Sequence, residues 1–432
     1  MTIPTFLDAP VLIIGAGPYG IAAAQELWHR GIEPLVIGEP FETWHRHTLN
    51  VMAMRSDPRG SSIFSPDDRY DFPSFLARAR AEDRVQAPAG EAERDAEDVV
   101  PISLYRDYLR SVEEAVPFRL IRGRVESLGR LRDGRFEAEA RTLEEAGDGG
   151  NSGKVLRLSA RAVILATGPG THQHLPAALD DLPRESILHS WQVDGIERLE
   201  NQRVLVLGGG QSSAETVDSL RRANRVTWAL RRPPLFFREP LRVPTPLFKL
   251  MLAGSSWIFR LPPLLLRAIS RAIFRTTVTP RLKAVWQDES VAKILADAEA
   301  LGLRAETREG GRRVLHCAAD GHDYDRLVSA TGYRFTLAGL PFLSPDLVAA
   351  LRQAGDPPKL TRRFASAVPG LFLAGGIAES THGPAMRFVL GARHAARTLG
   401  RAVPEWLEAA DDRPARGAGR EPERDASRPS AA

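Results

Sequence analysis

In the stretch Val11-Leu-Ile-Ile-Gly-Ala-Gly-Pro-Tyr-Gly20, four apolar residues run directly into a Gly15-x-Gly17-x-x-Gly20 turn. This pattern predicts a buried strand followed by a helix whose N-terminus faces a pyrophosphate. In order, the three glycines allow the tight turn, the approach of the backbone to the anion, and close helix–strand packing. A second apolar run, residues 34–38, ends at Glu39, where an acid would bind ribose hydroxyls. We therefore predict a nucleotide site here rather than a surface turn.

The same pattern recurs about 190 residues later, in Val204-Leu-Val-Leu-Gly-Gly-Gly-Gln-Ser-Ser-Ala214. Its turn reads Gly208-x-Gly210-x-x-Ser213, with a serine small enough to keep the packing in the place of the third glycine. Gln211, Ser212 and Ser213 open the predicted helix, where hydroxyl and backbone donors suit a phosphate. Ser212 also fits an ordinary helix start.

Two arginines, Arg231 and Arg232, follow the strand predicted over residues 225–230, and no acid stands at that strand's end. Arginines at this position favour a 2′-phosphate, and therefore NADPH over NADH. The alternative is a pair of solvated surface arginines.

The spacing of the two turns suits two nested units, so we predict an α/β fold with two nested Rossmann-like dinucleotide-binding domains. Three further predicted strands each end at glycine. They lead to Thr167-Gly168, to Thr331-Gly332 and to Gly375-Gly376. A helix is predicted over residues 385–399.

The composition of the 432-residue chain excludes several classes of function. A formal net charge of only +4 does not suggest a nucleic-acid partner. The single cysteine, Cys317, excludes an internal disulfide and a dithiol disulfide-reductase mechanism. The sequence contains no metal-ligand spacing, no secretory signal and no apolar run of about 20 residues, so we expect a cytoplasmic protein without a metal.

Together these motifs resemble the two-dinucleotide-domain flavoproteins, and within them the flavin-containing and N-hydroxylating monooxygenases. The resemblance covers roughly residues 10–400. It rests on GAGPYG at 15–20, ATG at 166–168, GGGQSSAE at 208–215, SATGYR at 329–334, and LFLAGG with HGP at 371–384. Two features depart from it. Only His189 and a nearby aromatic residue remain of the Phe-x-Gly…His fingerprint, and the acid that often follows the last glycine strand is missing.

The resemblance implies FAD in the first domain, NADPH in the second, and oxygen transfer from O2 to a small molecule through a flavin C4a-hydroperoxide. Amine N-hydroxylation is favoured. The alternatives are C-hydroxylation of a ring and an NADPH-dependent reductase or oxidase that passes electrons to a quinone or partner protein. The expected domains are an FAD domain over 1–195 and 326–408, an NADPH domain over 196–325, and a disordered tail over 409–432.

The predicted catalytic residues are His382 and Arg387. His382 either donates a hydrogen bond to the flavin or caps the last helix, and Arg387 pairs either with a substrate carboxylate or with Glu379. The predicted cofactor-contacting residues are Gly15, Gly17, Gly20, Glu39, Trp44, Val125, Thr167, Gly168, Gly208, Gly210, Gln211, Ser212, Ser213, Arg231, Arg232, Thr331, Gly332, Gly375 and Gly376. Further candidates to line the pocket beside the flavin are His45, His47, Met52, Met54 and Arg55.

An insert over residues 235–285 is unusual, because residues 240–287 contain eight Lys or Arg and no Asp or Glu. This is a basic amphipathic pattern. Three interpretations stay open: a lid on the NADPH domain, a peripheral membrane contact, and the surface of a homo-oligomer.

Overall fold

The computed structural model describes residues 5–54, 56–82, 100–143, 153–236 and 278–411. Several sequence predictions lie outside the described residues. These are the pocket role of Arg55, most of the insert (237–277) and the tail from residue 412.

The bounds of the regular elements follow from the backbone hydrogen bonds. The strands are β1 Thr5–Ile14, β2 Pro34–Ile37, β3 Ala53–Met54, β4 Val100–Pro101, β5 Arg119–Ile121, β6 Gly123–Arg130, β7 Phe136–Thr142, β8 Val155–Leu165, β9 Ile187–His189, β10 Arg203–Leu207, β11 Arg225–Leu230, β12 Ala292–Leu295, β13 Leu303–Thr307, β14 Arg313–Cys317, β15 His322–Tyr324, β16 Arg326–Ser329 and β17 Leu371–Leu373. The helices are α1 Pro18–His29, α2 Glu42–Arg46, α3 Pro58–Ser61, α4 Phe72–Ala81, α5 Ile102–Glu114, α6 Val193–Glu197, α7 Gln211–Leu220, α8 Lys283–Gln287, α9 Pro345–Arg352, α10 Glu379–His382 and α11 Leu390–Asp411.

The first sheet carries the first glycine turn. Its strand order is β5-β2-β1-β8-β7-β6, and β17 also pairs with β8. Strands β1, β2, β8 and β17 run parallel to one another, whereas β7 is antiparallel to the first half of β8. All of β2 and the end of β1 are buried, as their continuous apolar runs require in a parallel sheet covered on both faces.

The second sheet carries the second glycine turn, with strand order β12-β11-β10-β16-β9 and parallel pairing throughout. Alternate residues of β10 enter different cores. Val204 and Val206 belong to one cluster, and Leu205 and Leu207 belong to another, so this sheet is buried on both faces. A three-stranded antiparallel sheet, β13-β14-β15, precedes β16.

The two sheets are nested in the chain as predicted, because β9 to β16 lie between β8 and β17. We call the parts that carry the first and second sheets the first and second units. The predicted boundaries of the NADPH domain, at residues 196 and 325, differ from the extent of the second sheet. Its strand β9 begins at Ile187, and its strand β16 ends at Ser329. A parallel strand needs a hydrogen-bonded neighbour, and here that pairing extends the unit at both ends.

The helix predicted over residues 385–399 is wrong at both ends. Residues Pro384–Arg387 form a 3₁₀ turn, and α11 begins at Leu390 and continues to Asp411. His382 therefore ends the one-turn helix α10 and does not cap the long helix. None of the described helices combines the length and apolar composition needed to cross a bilayer.

Candidate functional site

The first glycine turn joins β1 to α1 at the carboxyl end of the first sheet. Gly15 has a φ of +112°, and a Cβ added there would overlap the carbonyl oxygen of Ala166 on the neighbouring connection. A Cβ added at Gly20 would overlap the carbonyl oxygen of Gly15. Both glycines are therefore required by the close approach of backbone to backbone.

Gly17 differs from these two, because nothing lies within 4 Å of a Cβ added there. It is the N-cap of α1, no side chain caps the helix, and its first turn contains no acid. Free N–H groups at a helix N-terminus beside open space form a cradle for an anion. The residues present therefore fit the pyrophosphate of FAD.

Glu39 follows β2, as the ribose prediction requires, and its carboxylate forms an ion pair with Arg46. The side chain of Glu39 is 9% exposed, whereas that of Arg46 is 63% exposed. The exposed arginine can move away from the carboxylate, so the arrangement is compatible with a ribose at this position. The ribose contact of Glu39 stays a prediction.

The second glycine turn joins β10 to α7 with the same backbone geometry. Gly208 has a φ of +145°, and an added Cβ would overlap the carbonyl oxygen of Ala330. A Cβ added at Gly210 would meet nothing within 4 Å, and no side chain caps α7. This second open helix N-terminus fits the pyrophosphate of NADPH. Ser213 is fully buried and its hydroxyl donates to the carbonyl of Gly210 at 2.6 Å, so that hydroxyl stabilises the turn.

Gln211 uses its side chain to bind the chain where it returns from the insert. Its Oε1 accepts from the backbone N–H of Thr279 at 2.9 Å, and its Nε2 donates to Glu215 at 2.6 Å. Glu215 is 1% exposed and forms an ion pair with Arg281. Burial raises the pKa of the Glu215 carboxyl, although Arg281 opposes the shift. The sequence did not predict this network, because residues 211 and 279 are far apart in the chain and no local pattern links them.

Arg231 and Arg232 are exposed and follow directly after β11. Parallel strands β10 and β11 place the ends of both strands at one edge, so the arginines lie at the same edge as the second glycine turn. This position suits the predicted 2′-phosphate contact.

The two connections between the units pass side by side. Thr167 and Gly168 begin one of them, and Thr331 and Gly332 begin the other. Gly168 and Gly332 have φ values of +68° and +85°. The hydroxyl of Thr331 donates to the carbonyl of His174 and so joins the two connections.

The end of β17 meets the first glycine turn. Gly375 has a φ of +82° and lies beside the ring of Tyr19, and the ring of Phe335 fills the space that a Cβ on Gly376 would need. The hydroxyl of Tyr19 donates to the carbonyl of Phe388 at 2.9 Å, and it also lies 3.2 Å from the carbonyl oxygen of Ala385. These aromatic rings bring α1, β17 and the segment before α11 together, and neither ring was among the predicted site residues.

His382 is 3% exposed and its ring stacks on Phe364 at a centroid distance of 3.7 Å. Its Nε2 lies 3.1 Å from the carbonyl oxygen of Thr361, so this nitrogen donates. Burial and the nearby His394 lower the pKa of His382 to about 4, which keeps the imidazole neutral at pH 7. The contacts fix the turn before Gly383, and the catalytic role stays a prediction.

Arg387 pairs with Glu379, from Nε to Oε2 at 2.5 Å, and its guanidinium lies 5.3 Å from the centroid of the Phe335 ring. The sequence predicted that Arg387 pairs either with a substrate carboxylate or with Glu379, and the described structure shows the pair with Glu379.

The remaining predicted residues belong to the first unit. Trp44 contacts Tyr105 edge-on at 5.8 Å, and Val125 is half-buried at an irregularity in β6. The buried Nε2 of His45 has no hydrogen-bond partner among the described residues, and burial lowers the pKa of His45 to about 4. His47 stacks on Trp191 at 3.8 Å. The described residues contain no cluster of three or more His, Cys, Asp or Glu able to hold a metal.

A known family matches more than half of the chain. The family described as L-lysine 6-monooxygenase/L-ornithine 5-monooxygenase matches residues 10–242. The matched region includes both glycine turns and the pair Arg231 and Arg232. No curated protein sequence matches the chain.

Solved structures share the fold at low sequence identity. The reduced ornithine hydroxylase of Pseudomonas aeruginosa is 16% identical, with a TM-score of 0.68, over 93% of this chain and 100% of that one. The ornithine N-hydroxylase of Kutzneria sp. 744, solved with reduced FAD, NADP⁺ and L-ornithine, is 17% identical, with a TM-score of 0.69, over 93% and 99%. The FAD-bound cadaverine monooxygenase of Erwinia amylovora is 17% identical, with a TM-score of 0.63, over 92% and 94%. The nested two-domain fold predicted from the sequence is confirmed.

Proposed function

Because the chain belongs to the L-lysine 6-monooxygenase/L-ornithine 5-monooxygenase family, we propose that it N-hydroxylates a primary amine at the end of a short aliphatic chain, using FAD and NADPH. The family match is the observation that carries this proposal. Since the matched residues, 10–242, include both open helix N-termini, the match and the geometry concern the same part of the molecule.

The reaction balances as one amine, one O2, one NADPH and one proton giving one hydroxylamine, one water and one NADP⁺. When bound and reduced, FAD supplies the activation of O2 that the protein's own side chains lack.

The chain's own residues bind and orient the two nucleotides. The open N-terminus of α1 would hold the FAD pyrophosphate beside Gly17, and that of α7 would hold the NADPH pyrophosphate beside Gly210. Arg231 and Arg232 would bind the 2′-phosphate through charge-assisted hydrogen bonds. The neutral, buried His382 would keep the turn between β17 and α11 in place.

The substrate class follows from the relatives and not from a site residue. The family description names lysine and ornithine. Two proteins of similar fold are an ornithine hydroxylase and a cadaverine monooxygenase. These three amines share a terminal primary amino group on a flexible chain, and only the first two carry a carboxylate. We propose that the terminal amine is the group recognised and oxidised.

The holoprotein should be incubated with NADPH, O2 and either L-ornithine, L-lysine or cadaverine, while NADPH, hydroxylamine product and hydrogen peroxide are measured. We expect one of the amines to give hydroxylamine in proportion to the NADPH consumed. The same amine acetylated on its terminal nitrogen is the control, and it should give peroxide without product. NADPH consumption that yields only peroxide with all three amines would contradict the proposal and favour the oxidase alternative.

A further inference from the structure

A short segment of the first unit is built into the second unit. We call residues 47–52 the joint segment. Leu49 is 2% exposed and belongs to a core cluster of the second unit, and Met52 packs against the cores of both units. The backbone N–H and the side-chain amide of Asn50 donate to the carboxylate of Glu197, at 3.0 and 3.1 Å. The joint segment therefore connects the units outside the chain connections themselves.

Trp191 is the main contact of the joint segment. Its ring stacks on His47 with an interplanar angle of 17°, and its carbonyl accepts from His47 Nδ1 at 2.7 Å. The same ring lies against Gly170, where an added Cβ would approach within 2.9 Å, and meets Tyr333 edge-on at 6.0 Å. Gly170 and Tyr333 lie on the two connections between the units. One indole thus touches the joint segment and both connections.

Arg106 holds the joint segment in shape from the first unit. Its guanidinium donates to the carbonyl of Trp44 at 2.7 Å, to Asn50 Oδ1 at 2.7 Å and to the carbonyl of Thr48 at 2.5 Å. Because the guanidinium is planar and rigid, three acceptors around it fix the relative positions of three points on the loop.

The two connections alone would form a hinge. They pair as a short antiparallel ladder, in which the backbone N–H of Arg334 donates to the carbonyl of His172 at 2.8 Å and the backbone N–H of His174 donates to that of Gly332 at 3.0 Å. Two adjacent strands permit rotation of one unit about their common direction. The joint segment adds a third point of contact, through Leu49 and the pair of Asn50 and Glu197, and so restricts that rotation.

We propose that Trp191 and Arg106 are positioning residues that set the angle between the two nucleotide units, and through it the distance from NADPH to the flavin. Only the kinetic part of this inference rests on the proposed function. Hydride transfer requires reacting atoms about 3–3.5 Å apart, and a displacement of about 1 Å costs on the order of 100-fold in rate. A small rotation between the units is therefore enough to slow flavin reduction without removing either nucleotide.

The test compares Trp191→Ala and Trp191→Phe with the control Trp406→Ala in the FAD-bound protein. Trp406 is half-buried and packs on Gly370 within the first unit. Three quantities are measured: hydrogen exchange of peptides covering residues 44–52 and 187–197, the Kd for NADP⁺, and the anaerobic rate of flavin reduction at saturating NADPH.

For Trp191→Ala we expect faster hydrogen exchange in both peptides, a Kd for NADP⁺ within about twofold of the wild type, and a reduction rate about tenfold lower. Trp191→Phe should recover most of the rate, because a ring can still stack on His47. Trp406→Ala should leave all three quantities unchanged. Unchanged exchange at residues 44–52 in Trp191→Ala, or a higher Kd for NADP⁺ with an unchanged rate at saturating NADPH, would overturn the inference.

Should Trp191→Ala fail to retain FAD, Glu197→Gln provides the second variant. Both Glu197 and Asn50 are exposed, so this change weakens the contact without opening a core. Faster exchange at residues 44–52 is expected, with a reduction rate lower by about twofold to threefold, and unchanged exchange would overturn the inference. A wild-type protein that NADPH does not reduce would refute the proposed function, whereas the exchange measurements would still decide the role of the joint segment.

Discussion

The two nucleotide turns have the same first glycine geometry but differ at the third position. At Gly20 an added Cβ would overlap the carbonyl of Gly15, whereas the equivalent Ser213 is fully buried and bonds to the carbonyl of Gly210 at 2.6 Å. Helix α7 therefore leaves room for a small side chain at the step where α1 leaves none. The third glycine is therefore required by local helix–strand spacing and not by the phosphate itself.

The turns also differ in the charge that follows the next strand. Glu39 follows β2 and pairs with Arg46, while Arg231 and Arg232 follow β11 and are exposed. An acid suits ribose hydroxyls and arginines suit a 2′-phosphate, so the two turns are expected to select different dinucleotides.

Among changes to the two turns, Gly20→Ala should cause the largest loss of stability. Overlap with the Gly15 carbonyl forces α1 away from β1, and we expect the free energy of unfolding of the apoprotein to fall by about 3 kcal/mol. The matched control is Gly17→Ala, which meets nothing within 4 Å and should lower apoprotein stability by less than about 1 kcal/mol while weakening FAD binding. Urea unfolding and flavin content check both variants, and an unaffected Gly20→Ala apoprotein would refute the packing argument.

The next largest effect is expected at low pH, which should lower the stability of the first unit. Burial lowers the pKa of His382 and of His394 to about 4, below the unfolded value of about 6.5. The unfolded state then binds more protons, so this stability is fully present above pH 6.5 and is lost as the pH falls from 6.5 to 4.

By pH 4.5 we expect His382 to contribute a loss of about 2–3 kcal/mol in the free energy of unfolding, with release of FAD as the first unit opens. Urea unfolding between pH 7 and 4.5, followed by flavin fluorescence, measures it. In His382→Asn the pH dependence should become shallower, and a slope equal to that of the wild type would contradict the assignment.

Replacing Arg231 and Arg232 together by alanine should act on the second turn alone. Loss of the charged contacts is expected to raise the Kd for NADP⁺ by about 10- to 100-fold and to leave the weaker Kd for NAD⁺ unchanged. Arg304→Ala, at an exposed arginine of β13, is the charge-matched control. An unchanged Kd for NADP⁺ would mean that the pair are solvated surface arginines, and equal losses for both nucleotides would contradict a contact with the 2′-phosphate.

Ser213→Ala should have the smallest effect, about 1 kcal/mol of stability, because it removes one buried hydrogen bond and keeps the volume that α7 already accommodates. NADP⁺ affinity should change little. A large loss of NADP⁺ affinity at unchanged stability would instead mean that the hydroxyl contacts the phosphate.

Local patterns predicted the nucleotide turns and the strands beside them. The strand predicted over residues 225–230 coincides with β11, and the one over 34–38 contains β2. A continuous apolar run that ends at glycine depends only on neighbouring residues, so it can be recognised without tertiary contacts.

The start of the last helix depends on a distant residue. Tyr19 donates to the carbonyl of Phe388 and lies near that of Ala385, and Gly391 leaves room for the tyrosine hydroxyl. These contacts hold the chain before Leu390 outside the helix, although its local composition favours one. The same limit applies to the site, where Glu215 and Arg281 form their ion pair across 66 residues of sequence.

The proposed reaction transfers one oxygen atom from O2 to the terminal nitrogen of an aliphatic amine. The most direct test supplies ¹⁸O2 and NADPH to the FAD-bound protein with L-ornithine, L-lysine or cadaverine, and determines the mass of the product. We predict a hydroxylamine that carries one ¹⁸O atom for each NADPH consumed. Unmodified amines, with all the ¹⁸O recovered in peroxide and water, would contradict it.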